Sequence, residues 1–278
     1  MSQRLDQLFR RCRAEGRTAF VPYLMIGDPD AEATAAYAEA LVAAGADMIE
    51  LGLPFSDPPA DGPVLQRAAE RALLAGMTTR RAMAVLRQIR AQTQVPLSLL
   101  CYANPVERYG VAAFYRDMAA AGIDAVLVAD VPVEEAGDYA AAARAAGIAP
   151  VLLASALSTD ERLRAVGALG GGYVYATARV GITGEKQDLA EDFAATVQRI
   201  ARGTALPVVV GFGLSSPAHL AAVAAAGANG AIVGSAIAQH LESARQAGMA
   251  LADRAQSLRD FAAPLGQACQ NPSRSLSC

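Results

Sequence analysis

The segment that best indicates the architecture of this chain is Ile49–Pro63, which reads IELGLPFSDPPADGP. It begins within a short apolar strand, Met48–Leu51, and then becomes a loop; the whole segment contains four prolines and two glycines. Glu50 lies inside the strand, and Asp57 and Asp61 lie on the loop. A strand that is buried on both faces is normally apolar throughout, because a buried carboxylate is costly unless it has a partner or a function. The segment therefore indicates a buried strand with chemistry at its end.

The same alternation of short apolar segments with helical segments continues along the chain. Eight strands are predicted, each followed by a helix: Ala19–Ile26, Met48–Leu51, Leu97–Cys101, Ala125–Ala129, Ala149–Leu153, Tyr173–Tyr175, Val208–Val210 and Ala231–Val233. Strands that alternate with helices imply a parallel sheet, and eight of them imply a closed (β/α)₈ barrel of the TIM type. An open doubly wound sheet is the alternative, but no GxGxxG opens a helix after any strand.

The length fits one barrel domain, residues 1–264, because such barrels typically span about 250 residues. Apolar residues at helical spacing between Leu5 and Cys12 predict an amphipathic helix that caps the core ahead of the first strand. Residues 265–278 are polar with Gly, Pro and Ser, which predicts a disordered tail.

Composition excludes several classes of function. A net charge of −3 without a basic cluster argues against nucleic acid as a partner. No apolar run approaches the roughly 20 residues of a membrane span, and the charged N-terminus is not a secretory signal. The four cysteines are scattered without a CxxC pair, which predicts a reducing cytoplasm and no metal site.

Glu50 and Asp61 are the candidate catalytic residues, because active sites of barrels lie at the C-terminal ends of the strands. Glu50 is near the end of the second strand, and Asp61 follows eleven positions later on the loop. We expect both carboxyls to face one pocket, where different surroundings can give them different pKa values. Asp57, in a Ser-Asp-Pro turn, is equally compatible with a structural role.

Glycines late in the chain suggest a phosphate site. Gly211-Phe212-Gly213 ends the seventh strand, and Gly234-Ser235 ends the eighth just before a helix. Backbone N–H groups and a helix N-terminus at these two places are the usual phosphate cradle of a barrel. The alternative is that the glycines only turn the chain.

Three other positions follow strand ends. The loop 176–188 has the length of a lid, and its Gly184 could join the phosphate cradle. Tyr175 is expected to contact a substrate, whereas Tyr173 is expected to pack. Asp130 is expected to anchor a neighbouring loop or to cap a helix.

With these features in place, the chain resembles the tryptophan synthase α subunit family from about Arg17 to Ala238. The most specific match is IELGLPFSDPPADGP. The other matching motifs are VPYLMIGDP at Val21–Pro29, YANP at Tyr102–Pro105, ADVPVEE at Ala129–Glu135, GITG at Gly181–Gly184, GFG at Gly211–Gly213 and GSA at Gly234–Ala236. One departure is Met25, where a smaller residue such as Thr is expected.

The resemblance implies retro-aldol cleavage of indole-3-glycerol phosphate to indole and glyceraldehyde 3-phosphate. It implies that Glu50 protonates indole C3 and helps to remove the side-chain hydroxyl proton, and that Asp61 stabilises charge at the indole N–H. Thr183 would meet Asp61 when the loop closes. The implied substrate-binding residues are Tyr23, Leu100, Tyr175, Thr183, Gly184, Phe212, Gly213, Gly234 and Ser235.

The resemblance also implies a partner, a tryptophan synthase β subunit in an α2β2 complex. That subunit carries pyridoxal phosphate, so no cofactor is expected in this chain. Pro54, Asp57 and the loop near Asn104 would lie towards the partner. Two alternatives stay open: a non-catalytic regulatory subunit, and another phosphate-binding barrel enzyme of a neighbouring biosynthetic pathway. The pair of Glu50 and Asp61 argues against the first, and the PFSDPPADGP loop argues against the second.

Overall fold

The structure, a computed structural model, describes residues 2–177, 193–211 and 213–270. Eight parallel strands pair in chain order, and β1 pairs with β8 to close the barrel. The strands are β1 Ala19–Met25, β2 Ile49–Gly52, β3 Leu97–Cys101, β4 Ala125–Val128, β5 Ala149–Ala154, β6 Val174–Thr177, β7 Val208–Gly211 and β8 Gly230–Val233. The predicted (β/α)₈ barrel is confirmed.

Alternate residues of each strand point into the barrel or out towards the helices, as the period of two in a strand requires. Val21, Leu127, Val151, Val209 and Ile232 belong to one apolar cluster that fills the barrel interior. The neighbouring strand residues belong to a second cluster beneath the surrounding helices. Because both faces are buried, the strands are almost entirely apolar, and Glu50 is the one charged residue within the eight strands of the described ranges, which needs an explanation.

The described residues form twelve helices. Eight of them follow a strand and pack around the barrel: α2 Ala31–Ala43, α4 Thr79–Gln92, α6 Val111–Ala120, α7 Gly137–Ala145, α8 Asp160–Leu169, α9 Phe193–Thr204, α10 Pro217–Ala225 and α12 Leu251–Gln270. The other four are additional: α1 Gln3–Ala14, α3 Pro63–Leu74, α5 Ala103–Tyr109 and α11 Ser235–Gln246.

The N-terminal end of the barrel is closed by α1 and by buried ion pairs. Leu5, Leu8 and Phe9 of α1 pack into the interior cluster. Asp124, which precedes β4 and is 3% exposed, accepts hydrogen bonds from the Arg90 guanidinium at 3.0 Å and from the Leu97 N–H at 2.9 Å. The Arg4 guanidinium also pairs with Asp124, at 3.2 Å. The apolar packing of α1 and the ion pairs of Asp124 therefore stabilise the N-terminal end of the barrel.

The C-terminal boundary differs from the prediction. Helix α12 continues to Gln270, and Leu265, Ala268 and Cys269 are buried. The predicted start of the tail at residue 265 is therefore too early. The segment is polar on average, but its few apolar residues recur at helical spacing and are buried. The rest of the predicted tail, residues 271–278, lies outside the described residues.

The Tyr102–Pro105 motif contains the start of helix α5, Ala103–Tyr109, which the sequence pattern does not predict. The Ala103 N–H at the start of α5 donates to Asp130 Oδ1 at 2.8 Å. Asp130 thus caps a neighbouring helix, as one of its two predicted roles states. Pro105 is tolerated because the first turn of a helix has no intrahelical acceptor for its N–H groups.

Candidate active site

Glu50 is a buried carboxyl inside the barrel. It lies in register with Tyr23 of β1 and Ser98 of β3, and it is 1% exposed. Its Oε1 has no hydrogen-bond partner among the described residues. Most buried polar atoms in proteins are paired, so an unpaired carboxyl oxygen at the centre of a barrel is a sign of function.

Burial raises the pKa of Glu50 to about 8, and the negative charge of Asp61 contributes to the rise. A buried carboxyl resists ionisation because the charged form loses its hydration. Glu50 is therefore mostly protonated at neutral pH and can donate a proton.

Asp61 lies on the loop after β2 and is 7% exposed. Burial raises the pKa of Asp61 to about 6. The Tyr102 hydroxyl opposes this rise, because it lies close enough to favour the charged carboxylate, although it makes no regular hydrogen bond. Asp61 is thus mostly ionised at neutral pH, and the two carboxyls have opposite protonation states, as an acid and a charge stabiliser require.

Tyr23 lies beside this pair. The side chain is buried, and its pKa is raised by burial and then by the charges of Asp61 and Glu50. The hydroxyl lies over Gly52, where a Cβ would overlap it, and 3.8 Å from Met25 Sδ. Met25, the departure noted in the sequence, therefore packs against the Tyr23 hydroxyl and supplies a weak acceptor for it.

The two tyrosines of the sixth strand region have different surroundings. Tyr173 shares a hydrogen bond of 2.7 Å with the Ser98 hydroxyl, and its ring packs 6.1 Å from that of Phe9. Tyr175 lies nearer the C-terminal end, where burial and then Glu50 raise its pKa. A Cβ at Gly211 would overlap the Tyr175 hydroxyl. The packing role predicted for Tyr173 is confirmed. Tyr175 lies close enough to Glu50 for the two side chains to interact.

Of the predicted phosphate residues, Gly213 lies after β7, and Gly234 and Ser235 lie after β8. Gly213 has φ of +80°, a conformation that favours glycine. Gly234 is the N-cap of α11, and Ser235 is its first residue. Since the first N–H groups of a helix lack intrahelical acceptors, this end of α11 can bind an anion.

The described residues bring Glu50, Asp61, Tyr23 and Tyr175 close together, because each tyrosine interacts with both carboxyls. Leu100 is buried in the interior cluster that also contains Tyr175. Thr183, Gly184, Phe212 and nearly all of the loop 176–188 lie outside the described residues. The YANP motif after β3 predicts a segment that lines the pocket or faces a partner, and Tyr102 lies beside Asp61; the contact between these two side chains is not predictable from the motif.

The loop residues expected towards a partner have different exposures. Asp57 is exposed, and its carboxylate accepts a hydrogen bond of 2.5 Å from the Ser56 hydroxyl. Asn104 is exposed, whereas Pro54 is buried within the chain. A groove between this loop and α3 ends at Leu74, which is 81% exposed. The outer face of the loop is therefore accessible.

The pKa of Glu50 predicts a pH dependence of stability. The unfolded chain releases this proton near the ordinary value of 4.5, and the folded chain holds it to about 8. Between these values the folded state binds more protons, so the free energy of unfolding falls as pH rises, by roughly 1.4 kcal/mol per pH unit at most. Glu50→Gln, which cannot ionise, will be more stable than the wild type at pH 8 and similar at pH 4.5.

Urea unfolding of both proteins across this range checks the prediction. The part of the raised pKa of Asp61 that comes from burial is common to both proteins and cancels, whereas its charge interaction with Glu50 is part of the measured difference. Parallel curves for the variant and the wild type would contradict the buried, protonated state of Glu50.

Within the described ranges, no helix is long and apolar enough to cross a membrane. No group of three or more His, Cys, Asp or Glu side chains in those ranges is arranged to hold a metal ion.

Comparisons with known proteins agree with the geometry. The sequence profile of the tryptophan synthase alpha chain family matches residues 9–265. The tryptophan synthase alpha chain of Geotalea daltonii is 43% identical over 239 residues, which cover 86% of this chain and 90% of that protein.

Solved structures give the same result. The tryptophan synthase subunit alpha of Legionella pneumophila has a TM-score of 0.88 at 32% identity, covering 98% of this chain and 99% of that one. A chain from the tryptophan synthase a2b2 complex of Pyrococcus furiosus has a TM-score of 0.81 at 34% identity, covering 90% and 97%. This chain belongs to the tryptophan synthase alpha chain family.

Proposed function

We propose that this chain is a carbon–carbon lyase that cleaves indole-3-glycerol phosphate to indole and glyceraldehyde 3-phosphate. The observation that carries the proposal is the pair of buried carboxyls, Glu50 with an unpaired Oε1 and Asp61 on the following loop. Their raised pKa values, about 8 and about 6, favour a protonated Glu50 and an ionised Asp61 at neutral pH. Retro-aldol cleavage of an indole needs both states at once. Family membership supports the same reaction.

Glu50 acts twice in this scheme. Its carboxyl gives a proton to indole C3, which places a positive charge on the ring nitrogen. The resulting carboxylate takes the proton of the side-chain hydroxyl next to the ring. The C–C bond then breaks, its electrons return to the ring as neutral indole, and the hydroxyl carbon becomes the aldehyde. The proton lost by Glu50 is thereby recovered, so the carboxyl is ready for the next cycle.

Asp61 supplies the negative charge that stabilises the protonated ring. A fixed charge in a dry site costs no reorganisation during the reaction, which makes it effective in the transition state. The backbone supports its position, because the Gln66 side-chain amide donates to the Asp61 carbonyl at 2.8 Å. Thr183 would contact Asp61 from the loop, outside the described residues.

The two ends of the substrate bind at different places. Tyr23, Leu100 and Tyr175 would contact the indole, because they are buried apolar surfaces next to Glu50. The phosphate would lie at the N-terminus of α11. The residues assigned to it are Gly184, Phe212, Gly213, Gly234 and Ser235, of which Gly184 and Phe212 lie outside the described residues.

The partner in this proposal is a tryptophan synthase β subunit, which would take the released indole. The Pyrococcus furiosus relative belongs to an a2b2 complex, which supports an α2β2 assembly for this chain. The groove lined by Asp57 and Leu74 is accessible to it, and Asn104 is also exposed. The alternative of a non-catalytic regulatory subunit would have no use for the protonated Glu50.

Indole release from indole-3-glycerol phosphate by the purified chain, with and without a β subunit, tests the proposal. We expect slow release by the chain alone and much faster release with the partner. No indole under either condition, with the β subunit still bound, would leave the chain a regulator and make the carboxyl roles wrong.

A further inference from the structure

A buried ion-pair cluster joins three segments on the catalytic side of the barrel. The Arg71 guanidinium donates to both carboxylate oxygens of Asp28, at 2.7 and 2.8 Å. Its remaining terminal nitrogen donates to Glu242 Oε1 at 2.8 Å. Arg67 also donates twice to Glu242, at 2.9 and 2.7 Å. We call these four residues the Arg71 cluster.

The cluster is largely removed from solvent. Glu242 is 4% exposed and Asp28 is 8% exposed, and the Arg71 side chain is 17% exposed. Forked guanidinium–carboxylate contacts are directional as well as strong, so they fix both distance and orientation. Arg67 is exposed, so its ion pair with Glu242 adds less.

Each segment in the cluster leads to one part of the active site. Asp28 follows β1, which carries Tyr23. Arg71 lies on α3, whose N-cap Gly62 follows Asp61 directly, and Glu242 lies on α11, which begins at the predicted phosphate site. Both helices are additions to the eight that surround the barrel, so the barrel packing alone does not fix their separation.

We propose that Arg71 and Glu242 are positioning residues that set the distance between Asp61 and the N-terminus of α11. This inference rests on the proposed function, in which these two places hold the opposite ends of one substrate. β2 and β8 are not neighbours in the barrel, because β1 lies between them. Helices α3 and α11 also pack directly against each other, and the cluster adds hydrogen-bonded, directional contacts between them.

A rigid link matters more for a substrate that spans both places than for a ligand that occupies one of them. If α3 and α11 can shift relative to each other, each half-site still binds its own ligand, but the whole substrate no longer meets both in the reactive geometry. A misplacement of about 1 Å can cost on the order of 100-fold in rate.

The test compares Glu242→Gln with Asp124→Asn. Both variants replace a carboxylate with an amide, both carboxylates are at most 4% exposed, and both pair with two arginines. Asp124 lies at the opposite end of the barrel, so its loss lowers stability without touching the active site. Turnover, KM and inhibition by indole alone and by inorganic phosphate alone are measured for the wild type and both variants, at a temperature where all remain folded.

We expect Glu242→Gln to lower kcat/KM for indole-3-glycerol phosphate by about 10- to 100-fold. Inhibition by indole and by inorganic phosphate should stay at the wild-type level, and Asp124→Asn should keep wild-type kinetics. Wild-type kcat/KM in Glu242→Gln, or the same loss in Asp124→Asn, would overturn the positioning role. Absence of turnover in the wild type would instead overturn the proposed function.

A milder variant serves if Glu242→Gln does not fold. Arg67→Gln removes the forked contact of Arg67 with Glu242 and leaves the single Arg71–Glu242 hydrogen bond in place. We expect the same kinetic pattern with a smaller loss of kcat/KM, and unchanged kinetics in this variant would count against the cluster.

Discussion

Glu50→Gln will abolish most of the turnover of indole-3-glycerol phosphate while the fold is retained. General acid–base catalysis by one positioned group typically contributes about 10²- to 10⁴-fold, and Glu50 is proposed to act as both acid and base. Glutamine has nearly the same shape, fills the same buried position and cannot exchange a proton. The loss should therefore be in kcat, measured as indole released at saturating substrate, with little change in KM.

The pH profile separates chemistry from packing. The wild type should lose activity above about pH 8 as Glu50 ionises, and this limb should be absent from the residual activity of Glu50→Gln. Glu70→Gln is a matched control, because Glu70 is an exposed carboxyl on α3. Normal turnover in Glu50→Gln would remove Glu50 from the reaction.

Asp61→Asn is expected to have the second largest effect, a loss of about 10²- to 10³-fold in kcat, the range measured when one transition-state stabilising group is removed. Asparagine keeps a hydrogen-bond acceptor for the indole N–H, but it lacks the charge that balances the protonated ring. Binding of indole should change little, because the neutral ring gains little from that charge.

A second measurement on Asp61→Asn tests the coupling of the two carboxyls. The charge of Asp61 contributes to the raised pKa of Glu50, so its removal should move the alkaline limb of the pH profile to lower pH. Activity near the wild-type level with an unchanged profile would demote Asp61 to a loop residue with a structural role.

The barrel and the main catalytic pair could be predicted from the sequence, because both depend on local patterns. Strands buried on both faces are apolar throughout, and this makes Glu50 visible as an exception without any structure. Asp61 follows on the next loop, and the rule that active sites lie at strand ends brings it to the same pocket.

Contacts between distant parts of the chain could not be predicted in this way. The partners of Arg71 lie 43 and 171 positions away, and nothing in the pattern around Asp28 or Glu242 distinguishes them from solvated charges. Tyr102 belongs to the YANP motif, but its place beside Asp61 depends on how the segments after β2 and β3 meet. Helix α5 could not be predicted because a proline such as Pro105 is typical of loops. Its place in the first turn of a helix becomes clear only from the hydrogen bond between the Ala103 N–H and Asp130.

The pairing of β1 with β8 also has a consequence during synthesis of the chain, because it joins the first strand to the last. β1 is the first strand to be synthesised, and its contacts from Ala19–Gly230 to Pro22–Val233 form only after the last strand has been made. Until then one edge of the apolar strand AFVPYLM carries open backbone groups, the kind of edge that recruits strands from other molecules. A nascent chain that stops before Gly230 therefore presents an aggregation-prone edge, and shielding by a chaperone matters most during the synthesis of the second half of the barrel.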